Sequence, residues 1–179
     1  MTAAELLSVA AFREGRHAQA FPTFGSERTG APVVAFCRID DTPIRLREPI
    51  GRPDAVIIQD PTLLHQVDVF GGLTPNGYVL LNTAREPEEL GLADLVFGRG
   101  PGRVLAVPAT ELARTHLGRP LPNVALLGAF SAMTGLVSLD SVLAAVRTRF
   151  RGAVRLGNIA AASAAHENVR EQLRDHADA

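Results

Sequence analysis

The chain has 179 residues, 46% of them hydrophobic and 21% charged, enough for one α/β-sized domain with a substantial core. Its 18 basic residues, all arginine, meet 19 acidic ones at a net charge of −1, which excludes the basic footprint that nucleic-acid binding requires. A single cysteine, Cys37, excludes an internal disulfide or an all-cysteine cluster held by this chain alone, and no run reaches the ~18 apolar residues that cross a bilayer.

Thr2-Ala3-Ala4-Glu5 has the form of a capping box. Ala3, Leu6, Leu7, Ala10 and Ala11 then recur at helical spacing until Gly15. No basic leader precedes an apolar core at this end, so the chain reads as cytoplasmic rather than secreted. His17 to Phe21 reads as a short strand and Pro32 to Ile39 as a second, with Thr42 to Arg47 expected to hairpin back on it. Cys37 in that second strand is expected to be an inert buried thiol. The β-branched run from Asp54 to Gln59, before Asp60-Pro61, is the clearest strand and suits a central position buried on both faces. Pro61 fits the first turn of a short helix, Thr62 to Gln66.

Tyr78 to Leu81, Leu92 to Phe97 and Arg103 to Val107 read as further strands. Helices are expected from Pro108 to about Leu117, from Asn123 to Gly135, after Ser138 as N-cap, and from Gly157 to Asp175. Strands alternating with helices, then helices alone, predict one α/β domain over residues 1–179. Its mostly parallel sheet is flanked by helices and its C-terminal third is helical.

No constellation of these residues is catalytic by itself. Gly98-Arg99-Gly100-Pro101-Gly102 lacks the helix and free N–H groups of a phosphate loop and reads as a surface turn. The five histidines show no metal-ligand spacing, although His65 lies near a strand end, where open α/β sheets bind ligands. Ser138 and Ser141 lack the Gly-x-Ser-x-Gly elbow, and Asp40-Asp41 and Glu88-Glu89 read as solvated loop charges. An accessory or binding subunit follows more naturally than a self-sufficient enzyme.

The stretch Phe21-Pro22-Thr23-Phe24-Gly25-Ser26-Glu27-Arg28-Thr29-Gly30-Ala31-Pro32 resists a purely structural explanation. Arg28 between glycines is placed to fork onto phosphate or carboxylate; its alternative is an ion pair with Glu27 or another chain. Asn123 is by type a helix cap, and the same helix start favours an anion.

Three segments carry a resemblance: Thr2 to Leu7; Ala18 to Pro22 with Arg28 and Gly30-Ala31-Pro32; and Asn123-Val124-Ala125-Leu126-Leu127-Gly128-Ala129-Phe130 with Thr134-Gly135 and Val137-Ser138-Leu139. From Thr2 to about Asn158 the chain resembles the gamma subunit of the 2-oxoacid:ferredoxin (or acceptor) oxidoreductases. The resemblance implies a complex that oxidatively decarboxylates a 2-oxoacid with coenzyme A, giving acyl-CoA, carbon dioxide and reduced acceptor. Thiamine diphosphate and iron–sulfur clusters belong in that family to partner alpha, beta and cluster-bearing subunits, which pass electrons to ferredoxin or another acceptor. The gamma chain borders the coenzyme A channel, and Ser26, Glu27, Arg28 and Asn123 are the coenzyme-contacting candidates. The family begins with a strand and a Gly-x-Gly-Gly-Gln-Gly loop before the helix that starts here at Thr2. Those residues are absent from this sequence: either its start codon is placed too late or the strand and loop are lost, and the alternative function is a non-catalytic scaffold that no longer contacts coenzyme A.

Overall fold

Runs of valine, isoleucine and leucine too apolar to face water form the centre of the fold, which a computed structural model describes for residues 2–23 and 32–177. Strands β1 (His17–Pro22) and β2 (Ala35–Asp40) make an antiparallel ribbon, with Phe21 opposite Phe36. Strands β3 (Ala55–Ile58), β4 (Tyr78–Asn82) and β5 (Val104–Val107) form a parallel sheet in the order β3-β4-β5. The helices are α1 (Thr2–Arg13), α2 (Ala93–Arg99), α3 (Ala109–Leu117), α4 (Asn123–Thr134), α5 (Leu139–Arg149) and α6 (Gly152–Ala177). The expected α/β class, parallel sheet and helical C-terminal third are all present.

Alternation along the strands divides the core. Leu80 and Leu105 face a large cluster built by α1, α4, α5 and α6, with Ile57 packed against it. Ile58, Val79, Leu81 and Val104 face a smaller cluster covered by Leu64, Leu90, Leu95 and Val96. Each fully buried leucine or valine is worth roughly 1.5–3 kcal/mol over exposure, so both faces must be covered.

Four expectations are corrected. The strand at Ala55–Ile58 has a partner on one side only among the described residues, and β4 holds the centre. Covered faces make an edge strand and a central strand read alike, because hydropathy reports faces and not edges. Ala93 to Phe97 lie within α2, with Leu92 at its N-cap, rather than in a strand; Leu92, Leu95 and Val96, at i, i+3 and i+4, turn one apolar side to the sheet. Thr42 to Arg47 forms no strand, and the chain there is held by the Arg38 side chain, whose Nη2 donates to Glu48 O at 2.9 Å. Gly98 and Arg99 end α2 instead of lying in a free turn, and Arg99 Nη1 donates to Thr74 O (2.6 Å) and Pro75 O (3.0 Å), pinning that loop. Two smaller differences are that α1 already includes Thr2 and that α6 starts at Gly152.

Helix α4 is buried from Val124 to Ser131 and lies against the alanine face of α6, Ala161, Ala162 and Ala165. Contact is so close that a Cβ on Gly128 would meet Ala162 O at 2.0 Å, and one on Gly157 would meet His116 O at 2.7 Å. Cys37 is half-buried rather than buried, packed against the large cluster, and desolvation pushes its thiol up to about 12, which keeps it protonated at neutral pH.

Glu14, just beyond α1, clamps α5. Its Oε1 accepts from Ser138 N and Ser138 Oγ, both at 2.7 Å, while Ser138 Oγ itself caps Ser141 N. Partial desolvation would raise this carboxyl, but the Ser138 N–H, the Ser141 and Ser138 hydroxyls and the Arg16 charge outweigh it and hold it below its usual 4.5.

Two outcomes follow from these contacts. Gly128→Ala should destabilise the chain by at least about 1–3 kcal/mol, since neither helix backbone can retreat, a fall of about 2–4 °C in Tm per kcal/mol. Gly98→Ala, whose Cβ meets nothing within 4 Å, is the control expected to be neutral or slightly stabilising by calorimetry. A depressed folded pKa gives stability that is full above the unfolded value and lost as pH falls through the folded one. Stability of the wild-type chain should therefore drop as pH falls below 4.5, and Glu14→Gln should flatten that part of a denaturant-midpoint profile.

Candidate functional site

Parallel strands all deliver their carboxyl ends to one edge, where the next segments diverge and leave room for a ligand. Here β3 delivers Gln59 and Asp60, β4 delivers Asn82 and Thr83, and β5 delivers Pro108 before α3. Asn82 is the one buried polar residue of its strand. Its Nδ2 donates to Gln59 O and to Thr110 Oγ1, both at 2.8 Å, and its Oδ1 accepts from Thr110 N at 3.1 Å. One amide therefore ties β3, β4 and the first turn of α3, and it supplies the cap that Pro108 cannot.

Gln59 extends the chain of polar groups, its Nε2 donating to Asn123 Oδ1 at 2.8 Å. Asn123 is thus brought to the carboxyl edge of the sheet, but not as the cap expected. Pro122 precedes the helix, Asn123 is its first residue, and no side chain caps α4 among the described residues. A neighbouring amide donor takes the Asn123 side chain, so no described side chain caps the first-turn N–H groups of α4. Asp60 caps its own turn, its Oδ1 accepting from Thr62 Oγ1 at 2.7 Å and Thr62 N at 3.0 Å; those bonds hold its carboxyl below the usual range.

Ser26, Glu27 and Arg28 lie outside the described residues, so only Asn123 of the four candidates has a described position. The ribbon that leads into their loop carries Phe21 and Phe36, ring centroids 5.4 Å apart, with the Arg38 guanidinium 5.7 Å from the Phe21 centre. Sequence reasoning missed Gln59, Asn82 and Thr110. The available signal was position: Gln59 and Asn82 are the first polar residues after their apolar strand runs.

An open groove of about 680 Å³ lies elsewhere, lined by Glu14, Ser131, Ser138, Asp140, Ser141 and His166 among others. It sits at the far end of α4 from Asn123, and its central carboxylate, Glu14, is already spent on holding α5. The carboxyl edge is therefore the better candidate. No group of three His, Cys, Asp or Glu side chains gathers as a metal site among the described residues.

A family model described as pyruvate ferredoxin/flavodoxin oxidoreductase matches residues 1–168. The chain belongs to that family. Within the pyruvate ferredoxin/flavodoxin oxidoreductase family it is of the gamma-subunit type. The common gamma subunit of the pyruvate/ketoisovalerate oxidoreductases of Thermococcus kodakarensis is 48% identical over 165 residues, 92% of this chain and 88% of that one. The crystal structure of the pyruvate oxidoreductase subunit PORC of Thermotoga maritima superposes with a TM-score of 0.77 at 32% identity, covering 93% and 87% of the two chains. The 2-oxoglutarate:ferredoxin oxidoreductase of Magnetococcus marinus, solved with 2-oxoglutarate, coenzyme A and succinyl-CoA bound, shares the fold at a TM-score of 0.65 and 16% identity; the match covers 98% of this chain and 29% of that longer one.

Asn82→Ala should orphan Gln59 O and the Thr110 N–H together and cost at least about 1–3 kcal/mol in a urea titration. Gln59→Ala, which removes an exposed partner, should stay within about 0.5 kcal/mol of wild type in the same experiment.

Proposed function

We propose that this chain is the gamma subunit of a thiamine-diphosphate-dependent 2-oxoacid:acceptor oxidoreductase and borders its coenzyme A channel. The observation that carries this reading is the uncapped start of α4, held by Asn123 and Gln59 at the carboxyl edge of the sheet, in a chain of this family. Its N–H groups and dipole suit a phosphate of the coenzyme. Coenzyme A bound in the Magnetococcus enzyme of the same fold supports the choice of ligand.

The overall reaction converts a 2-oxoacid and coenzyme A to acyl-CoA and carbon dioxide, releasing two electrons to ferredoxin or another acceptor. Thiamine diphosphate supplies the carbanion chemistry and iron–sulfur clusters the electron path. With one cysteine, this chain has no thiol set for a cluster; in this reading alpha, beta and cluster-bearing partner subunits hold both groups. The complex operates in the cytoplasm. In this reading Arg28 forks onto a coenzyme phosphate, with Ser26 and Glu27 shaping the loop around it.

A scaffold role without coenzyme contact is favoured by one fact, that the Asn123 side chain is already occupied by Gln59. The two readings separate in one titration. Arg28→Ala in the assembled complex should raise the KM for coenzyme A roughly ten- to a hundredfold, the 1.5–3 kcal/mol of a hydrogen bond to a charged group, with 2-oxoacid binding nearly intact. Arg28→Lys should recover part of that loss. An unchanged KM for coenzyme A in both variants would leave the scaffold role standing.

A further inference from the structure

The arginines of this chain are unevenly spread. Between residues 112 and 166 stand Arg114, Arg119, Arg147, Arg149, Arg151 and Arg155, against a single acid, Asp140. The chain as a whole has one more acid than base, so the remainder is acidic.

The fold gathers them at one corner. Arg147 and Arg149 end α5, Arg151 links it to α6, and Arg155 lies in the first turns of α6. The last turn of α3 comes to the same corner, because Gly157 rests against His116 O and Leu117, and Arg119 follows directly. Arg119, Arg147, Arg149 and Arg151 are exposed. None of the six guanidinium groups forms an ion pair among the described residues, whereas Arg16, Arg85, Arg170 and Arg174 all do. Cations suit the C-terminal turn of α5, but the start of α6 has no acid in its first turn to offset Arg151 and Arg155. Like charges gathered without a described counter-charge repel one another, and carboxylates on a partner would relieve that repulsion.

Apolar residues share the corner: Leu156 is 64% exposed and Val154 42%. Arginine around exposed aliphatic side chains is the composition of a protein interface, and a chain with net charge −1 gains little from a nucleic-acid or lipid polyanion. We propose that the α3–α5–α6 corner is the docking surface for a carboxylate-rich face of another subunit of the oxidoreductase complex. This rests on the reading of the chain as a subunit. Desolvated guanidinium–carboxylate pairs would fix orientation there and speed encounter.

The absence of lysine gives a clean test. The Arg151→Lys variant keeps the charge and carries the one side-chain amine of the chain, and a water-soluble carbodiimide joins an amine to a carboxylate without a spacer. In the purified complex that amine should be coupled to an Asp or Glu of a partner subunit, a product missing from wild type and lost at high salt. The triple variant Arg147→Glu, Arg149→Glu, Arg151→Glu, with its fold verified by circular dichroism, should bind the remaining subunits at least about tenfold more weakly and with little salt dependence. An assembled complex in which the introduced amine stays uncoupled, or in which the triple variant binds as wild type does, overturns the docking surface. So does tighter retention on duplex DNA or anionic vesicles than on the partner subunits. Failure of the wild-type chain to assemble at all would instead overturn the subunit reading.

Discussion

Helices α4 and α6 touch backbone to backbone, and the positions of most other elements follow from that contact. Gly128 leaves no room for a methyl group before the Ala162 carbonyl, and three alanines of α6 form the facing surface. Small residues forgo the area that a leucine would bury, but they recover it in dense dispersion contact along two helices. His166 adds a polar stitch to the seam, its Nδ1 lying 3.2 Å from Gly128 O. Because α4 is enclosed by α6 on one side and by the sheet and α1 on others, it is apolar nearly all round.

That enclosure fixes where α4 begins. Its start meets the carboxyl ends of β3 and β4 through the Asn123–Gln59 pair, and Asn82 holds the neighbouring α3 to the same edge. The polar groups lie where the two apolar layers stop, and each is satisfied by another, which makes this edge rigid without filling it. The opposite end of α4 is closed differently, by the Glu14 carboxylate on the α5 N-terminus. One end is closed by a carboxylate from another element, and the other has a helix start that no described side chain caps.

The chain belongs to the pyruvate ferredoxin/flavodoxin oxidoreductase family and is of its gamma-subunit type. The protonated Cys37 thiol and the self-capped Asp60 have structural explanations. The unpaired arginine corner and the half-exposed Phe21–Phe36 face of the ribbon do not have such explanations, and both face away from the core clusters.

Local chemistry made much of this legible in the sequence. Apolar runs declared β3, β4 and β5, Ser138 declared the start of α5 and Gly135 the end of α4, because each depends on residues within a few positions of one another. The family, too, was readable from its segments. Strand order was not: Ala55–Ile58 is more β-branched than Tyr78–Asn82 and yet lies at the edge, since pairing partners come from distant sequence. Leu92 to Phe97 was too short for period alone to decide, and the sheet face it covers made it helical. Asn123 looked like a cap until the fold supplied Gln59, 64 residues away, as a better partner. The sequence by itself determined the elements, their apolar faces and the charges. Only the tertiary structure decided which polar groups satisfy one another and which arginines have no ion pair among the described residues, because those pairings join residues that no local rule relates.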